Sequence, residues 1–555
     1  MGTQREADSR SIGSAEHIES SPRTADMIES IPGTHMIEPT GLHHGHNKAN
    51  PHGTTLIPRP SANPADPLNW SKNRKLIVVL TQGAYVLFNI LPILATAPLY
   101  PVLTAEWHKG IQTVTIVTGI TTATYGTANF IVVPCASIFG RRPTLLVSSV
   151  ISLASNIWLA LSKSYDSFLG ARVLAGIGCA ANESIMAIVI ADVFFLHERG
   201  SWMGFYFYCY VGGVLIGPII AGAFQQHVNW RMFFWFCAIM QGVAMLALFL
   251  FAPETRRSGE FLSDAEITTP STDSEAVDPG FEKGASQQPA AQESMTTADP
   301  KFCRGRPNRS QLLPWQKVDR KAVRELWLHL ITPFIILFYP ITFWATMTAN
   351  LASNTLLFLI MCQSQALAAP PYLWSAQSVG FSNFSPLIGA VVVLAIGGTL
   401  SDWVAMKATV RNKGIREPEM RLPTLLPFLA ANVIGMIMIG FGFQYGWRWE
   451  APVIVGYSLV GLSSSVIQTI VITYAVDCYK PISGAIMNLA TVLKNMFALG
   501  MSYYINNWII SSGYLPPMFM MMGLTVGFGL IGVVVFMKWG KTMRTWTRNS
   551  KVHQM

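Results

Sequence analysis

The chain has 555 residues, 51% of them hydrophobic and only 12% charged, with a mean hydropathy of +0.36. Soluble domains carry roughly 25% charged residues, so a water-soluble fold, a collagen-like fibre and a wholly disordered chain are excluded. The net charge of +9 comes from basic residues that sit beside apolar runs, which points to membrane anchoring and away from a nucleic-acid partner.

Residues 1–75 are polar, without helical periodicity, and are expected to form a disordered tail. They lack the apolar core of a cleaved secretory signal, so the first apolar run is expected to act as its own insertion signal. A membrane-crossing helix needs about 20 mostly apolar residues to cover ~30 Å of hydrocarbon with every backbone polar group paired internally. Twelve runs meet that requirement: 76–103, 113–135, 144–163, 168–194, 203–225, 231–252, 332–361, 374–401, 424–443, 452–476, 483–507 and 515–537. The first six place one bundle over residues 76–255 and the last six a second over 325–538. Between them, residues 256–324 turn to Ser, Thr, Pro, Gln and Glu and are expected to be a loosely ordered linker, and 539–555 form a short tail. The expected class is an all-α integral membrane protein of two six-helix bundles.

Lys and Arg resist translocation and collect in cytoplasmic loops. On these spans only Lys109, Lys163, Arg231 and Arg448 fall in outer loops, so both tails are expected in the cytosol. All 11 histidines lie outside the spans, which argues against intramembrane metal or acyl-transfer chemistry, and His43, His44 and His46 read as part of a solvated tail. The seven cysteines lack paired CxxC spacing and read as small buried hydrophobes, not as a disulfide framework or zinc site. No GxxxxGK[ST] phosphate loop is present, so ATP-driven pumping is not expected, nor is an enzyme or a bound cofactor.

Loop 2–3 reads Phe139-Gly140-Arg141-Arg142-Pro143, span five carries Gly213-Val-Leu-Ile-Gly217-Pro218-Ile-Ile-Ala-Gly222, and span four carries Arg172-Val-Leu-Ala-Gly176-Ile-Gly178. Together these resemble the major facilitator superfamily: its GxxxDxxGRR loop, the GxxxGPxxxG motif of its antiporters, and its RxxxGxG. Asp66-Pro67-Leu68-Asn69-Trp70, Pro253-Glu254-Thr255 and Arg416-Glu417-Pro418-Glu419-Met420-Arg421-Leu422 resemble its fungal twelve-helix drug:proton antiporter branch, in particular a polyamine- and cation-permease-like subgroup. The resemblance departs at Ser137, which occupies the acidic position of the loop 2–3 motif, whereas Asp402 keeps the equivalent acid in the second half.

The resemblance implies a proton-coupled secondary transporter that works by alternating access, exporting a drug, toxin or secondary metabolite in exchange for protons. Uptake of polyamines or other organic cations is the alternative. A non-transporting membrane sensor is a third reading, disfavoured by the short tail after Lys538. A monomer in the plasma membrane, or else the vacuolar membrane, is expected, with protons and a small molecule as its partners.

Ionisable groups in hydrocarbon are expensive and normally face a cavity or a partner. Glu183, near the midplane of span four, is the expected proton-exchanging acid. Arg172 lies 11 residues earlier, on the same stripe and about 16 Å away along the axis, so the two cannot pair directly. It serves either proton coupling or the bonding of loop carbonyls. Lys494, centred in span eleven, either neutralises Glu183 across the cavity, attracts an anionic substrate, or snorkels through a polar groove. In the family this resembles, the spans holding Asn89, Asn182, Asn350, Asn354, Gln468, Tyr474, Asn488 and Asn495 line the central cavity, so these residues are candidate contacts or interhelical bonds. Tyr206, Tyr208 and Tyr210 alternate along span five, so only part of that set can face the cavity. Arg141 and Arg142 are expected to hold an inner gate, with Asp192, Asp402 and Asp477 as gate or cap residues. Gly213, Gly217 and Gly222 allow close backbone approach, and Pro218 a bend where the halves meet.

Overall fold

The computed structural model describes residues 34–36, 63, 65–256, 305–315, 323, 330–412, 415–479 and 482–547. Twelve helices among them are long and apolar enough to cross a membrane. The first six are α1 (Lys72–Trp107), α2 (Ile111–Phe139), α3 (Arg141–Leu161), α4 (Tyr165–Val193), α5 (Glu198–His227) and α6 (Trp230–Phe251). The second six are α7 (Pro340–Leu367), α8, α9 (Leu425–Gln444), α10 (Glu450–Cys478), α11 (Ser483–Ser512) and α12 (Leu515–Thr547). Helix α8 is built from two pieces, Ala376–Phe381 and Phe384–Arg411. Number and order match the apolar runs, because run length is what the bilayer demands. Helix α7 starts later than its run does, at Pro340, whose missing N–H and preset φ suit a helix's first turn.

Several helices are interrupted. Helix α1 gives way to a 3₁₀ turn at Ala97–Leu99 before resuming at Tyr100, and α4 is interrupted at Ala180. The apolar cores lie mostly within one bundle each, although one of the first bundle's takes in Ile360 of α7, and the bundles meet along α2 with α11 and α5 with α8. Small residues set these crossings, since without water as a driving force helix association in lipid depends on close packing. A Cβ at Gly126 would stand 2.5 Å from the Cβ of Asn495, and one at Gly222 would stand 2.4 Å from the Ala376 carbonyl oxygen.

With an even number of spans, the start of α1 and the end of α12 lie on one face, here the tail side; the opposite face is the far side. On the far side the bundles are pinned by hydrogen bonds. Gln112 Nε2 donates to the Ser502 carbonyl at 2.9 Å, Asn506 Nδ2 donates to Thr115 Oγ1 at 2.6 Å, and the Ser364 hydroxyl meets the Ala97 carbonyl. On the tail side a ring stack joins them, Phe130 on Phe334 at 5.2 Å.

Parts of the chain expected to be structureless are ordered here. His35–Met36 (β1) pairs antiparallel with Ile415–Arg416 (β2), in the register His35 to Arg416 and Met36 to Ile415. Asp66 caps a 3₁₀ turn at Pro67–Asn69, and Trp70, fully buried, lies beside Gly305 of the linker. Gln311 Nε2 donates to the Ala65 carbonyl at 3.0 Å. Periodicity misses these segments because they dock through backbone and isolated side chains, not through an amphipathic face. His43, His44 and His46, like residues 257–304, lie outside the described residues.

Candidate functional site

Within the interior of their spans, the Lys494 ammonium of α11 pairs with Glu183 Oε1 of α4. Both side chains are nearly buried, at 13% and 12% exposure, so each charge relies on the other for what water would have supplied. The ammonium also lies 3.3 Å from the Tyr210 hydroxyl and 5.5 Å from the Tyr210 ring centroid, a cation–π distance. One turn earlier on α5, the Tyr206 hydroxyl donates to the Glu183 backbone carbonyl at 3.0 Å. The pair is held from the second bundle as well: Asn354 Nδ2 donates to the Lys494 carbonyl at 3.0 Å and to Asn350 Oδ1 at 2.6 Å. Beside Asn354 in sequence, the Ser353 hydroxyl donates to Gln468 Oε1 at 2.7 Å. Two buried acceptors in this cluster, Glu183 Oε2 and Asn354 Oδ1, have no hydrogen-bond partner among the described residues. The site thus joins an acid of the first bundle to a base of the second, with rings on one side and amides on the other.

Other predicted residues are placed elsewhere. Asn89 Nδ2 donates to Asn182 Oδ1 at 3.1 Å, the Ser152 hydroxyl donates to Asn89 Oδ1, and the Cys179 thiol donates to the Asn89 carbonyl at 3.1 Å. All four are fully buried between α1, α3 and α4, where they bond helices of one bundle to each other. Arg172 is also fully buried; it donates to the carbonyls of Pro92 and Ile93 at 2.8 and 3.4 Å and lies between the rings of Phe168 and Phe234. Those carbonyls belong to the last turn of α1 before its interruption and have no intrahelical donor, so of the two expected roles the geometry matches carbonyl bonding. Tyr474 is buried against Trp344, ring centroids 5.9 Å apart, and Asn488 and Asn495 are buried on α11.

The motif residues gather into two tail-side networks, one per bundle. In the first, Gly140 adopts φ +105°, which lets the chain turn directly into α3. The Glu254 carboxylate accepts from the backbone N–H of Arg141 and of Arg142, each at 3.0 Å, capping α3 where unpaired N–H groups favour an anion. Arg142 donates to the carbonyls of Phe249 and Ala252 at the end of α6, at 2.6 and 2.8 Å. Arg141 reaches Asp192 of α4 at 3.1 Å. Arg141 therefore bonds inside its own bundle, and Arg142 there and to the Gln311 carbonyl of the linker at 3.5 Å; among the described residues neither reaches the second bundle, whereas an inner gate against it is the expectation from sequence. Where Ser137 replaces the acid, Arg256 donates to the carbonyls of Ser137 and Ile138 at 3.1 and 2.6 Å and closes the end of α2.

In the second bundle, Arg421 bridges Asp402 at 2.8 Å and Asp477 at 3.2 Å. Nearby, Arg544 of α12 is fully buried and holds both oxygens of Glu419 at 2.9 Å. In the GPxxxG stretch, Gly213 and Gly217 face α1, where a Cβ would stand 2.8 Å from the Leu87 carbonyl oxygen and 2.2 Å from that of Leu91. Gly222 and the Pro218 carbonyl instead face α8, at Ala376 and Gly380.

Arg421, Glu254 and the Glu419–Arg544 pair are not singled out as site residues from sequence, and Tyr210 only as one of three tyrosines of which part can face the cavity. The spacing of Tyr206 and Tyr210, one helical turn apart on the stripe toward α4, was the available pointer to Tyr210. The acids and Arg421 stood inside motifs quoted only for resemblance.

Two six-helix bundles of interrupted apolar helices define an integral, multi-pass membrane protein. A family model described as Major Facilitator Superfamily matches residues 83–499, and the chain belongs to that family. It is 24% identical to Protein HOL1 of Saccharomyces cerevisiae over 571 residues, covering 94% of this chain and 97% of that protein. It is 26% identical over 420 residues to a probable efflux pump, mfs2, of Aspergillus flavus, covering 75% and 90%. Among solved structures, the human organic anion transporter MFSD10 shares the fold with a TM-score of 0.52 at 14% identity, covering 82% of this chain and 99% of that one.

Proposed function

We propose that the protein exports a small organic compound in exchange for protons, by alternating access around the Glu183–Lys494 pair. The observation that carries this reading is that the pair crosses the bundles: Glu183 rides with the first and Lys494 with the second. When Glu183 takes up a proton the attraction is lost, Lys494 keeps its charge, and the bundles are released to rock about the midplane. Loss of the proton to the other side restores the pair and resets the cycle. The far-side hydrogen bonds are then the contacts broken in each turnover. Export follows the likeness to a probable efflux pump and the GPxxxG stretch at the α5–α8 crossing. We place the tails in the cytosol on the distribution of Lys and Arg, in a plasma-membrane monomer.

Uptake of an organic cation is favoured by a separate observation. Glu183 Oε2 is a buried acceptor without a hydrogen-bond partner among the described residues, and the other carboxylate oxygen meets an alkylammonium, that of Lys494, which also lies over the Tyr210 ring. A protonated amine supplies the missing donor. The test is counterflow in sealed vesicles with radiolabelled spermidine and with a fluorescent hydrophobic cation, under an imposed pH gradient of either sign. Export by antiport predicts accumulation only when protons leave as substrate enters. Flux through Glu183→Gln that still follows the gradient would remove Glu183 from the mechanism.

A further inference from the structure

The Lys494 ammonium touches the first bundle at two places, and only one of them is a carboxylate. The other is Tyr210 of α5, whose hydroxyl lies 3.3 Å away and whose ring centroid lies 5.5 Å away, inside the reach of a cation–π contact. The backbone beneath the lysine is fixed within its own bundle, since its carbonyl accepts from Asn354 Nδ2 of α7 at 3.0 Å. What can change partners across the bundles is therefore the side chain, a point charge on a flexible four-carbon stem. Tyr210 stands in a wall already tied to α4: its ring lies 6.2 Å from that of Tyr206, whose hydroxyl is committed to the Glu183 carbonyl at 3.0 Å. The titratable groups facing Tyr210 are Glu183 of α4, Lys494 of α11, Tyr125 of α2 and Tyr206 of α5. Among the described residues no second carboxylate pairs with Lys494. Once Glu183 is neutral, the ring and phenol oxygen of Tyr210 are what the first bundle still offers that charge.

We propose that Tyr210 is the second seat of Lys494: when Glu183 loses its charge the ammonium stays on Tyr210, which keeps the two bundles joined at this site and holds back far-side opening. Tyr210 is in this sense a positioning residue, acting through Lys494. A ring and a phenol oxygen hold an ammonium less strongly than a carboxylate does, so protonation loosens the crossing without stranding a buried charge. A contact made in one arrangement of the bundles stabilises that arrangement by its own free energy, and Tyr210 sets how much of it survives protonation. The inference deepens the reading of Glu183 as the group that changes charge and rests on it; it is independent of the substrate and of the direction of transport.

The test uses the full chain in membranes. Ser502, buried at the far-side α2–α11 crossing, is replaced by Cys, and its alkylation by a membrane-impermeant maleimide added from the far side reports opening. Labelled peptides are identified by mass, so the native cysteines do not confuse the readout. In a Glu183→Gln background, where the site holds no carboxylate, Tyr210→Leu is expected to raise the labelling rate about fivefold, and Tyr210→Phe, which keeps the ring, about twofold. With Glu183 in place at alkaline pH the carboxylate holds the ammonium, and neither variant should move the rate. A rise of equal size in both backgrounds means that Tyr210 only packs, and no rise in the Glu183→Gln background means that the ammonium does not rest on it; either result overturns the proposal. Should Tyr210→Leu fail to fold, Tyr210→Phe decides by the same comparison. Failure of Glu183 as the proton carrier is read separately, in flux through Glu183→Gln that still follows the gradient, whereas the labelling comparison asks only whether Tyr210 holds Lys494.

Discussion

Arg421 reaches two carboxylates, Asp402 and Asp477, and all three belong to the second bundle; Lys494 reaches Glu183 and Tyr210, and both belong to the other. The first bundle repeats the former pattern at Arg141 and Asp192. Tail-side ion pairs therefore travel with their bundles as rigid parts, while the midplane pair joins the moving bodies and must part if they separate there. The environments differ in the same sense. Asp402 is 64% exposed, so water shares its charge, whereas Glu183 and Lys494 have almost none. An exposed pair contributes about 0–1 kcal/mol, but removing one member of a buried pair costs about 3–5 kcal/mol because a charge is left without a partner.

The largest effect is expected at the midplane. Glu183→Gln and Lys494→Met, made singly, should each abolish gradient-driven flux and lower thermal stability by about 3–5 kcal/mol. The double variant should regain most of that stability without regaining flux, since no charge is then stranded. Three equal melting curves would mean that the pair is solvated and the contrast with the tail side is empty. Next comes Arg544→Met, which strands Glu419 in a buried site and should cost a comparable about 3–5 kcal/mol in detergent melts. Arg421→Met, facing a mostly exposed Asp402, should cost about 1 kcal/mol or less.

Glycines separate the two kinds of contact again, with smaller effects. A methyl at Gly217 meets the Leu91 carbonyl of its own bundle, so Gly217→Ala should lower stability by about 1–3 kcal/mol through forced backbone shifts. A methyl at Gly222 meets Ala376 of the opposite bundle. Gly222→Ala should instead leave melting nearly unchanged and raise far-side maleimide labelling of Ser502→Cys. The same labelling in both variants would show that the α5–α8 crossing does not move.

The twelve spans were legible because hydrocarbon imposes a length and composition that no other environment requires, and Pro340 altered only where one of them begins. Glu183 and Lys494 were legible one at a time, as charges in apolar runs. Their meeting was one of three readings open for Lys494, and the choice among them was not legible, since residues 311 apart in sequence are brought together only by the packing of α2 on α11 and of α4 beside them. Asn89 and Asn182 were open to two readings, cavity contact or interhelical bond, because an amide in lipid needs a partner and the sequence does not say whether that partner is a ligand or a helix. The pairing of His35–Met36 with Ile415–Arg416 left no trace, because two paired residues and one buried threonine have no period to detect.

Ser137 offers the finest division between the tail-side networks. The second bundle keeps an acid at the matching place, Asp402, paired with Arg421, while in the first the α2 end is closed by Arg256 on backbone carbonyls and α3 is capped by Glu254. If those two groups have taken over the anchoring that an acid would provide, Ser137→Asp adds only a half-buried charge near arginines that are already engaged. Stability should then change by no more than about 0.5 kcal/mol and flux by no more than about twofold. A tenfold gain in flux would mean instead that the first bundle is short of an acid and that its arginines are only parked on the groups they now touch. The paired substitution Asp402→Ser reads the same question from the other side. It removes one of the two carboxylates held by Arg421, and because Asp477 remains at 3.2 Å the guanidinium keeps a partner, so the loss should stay within about 1 kcal/mol.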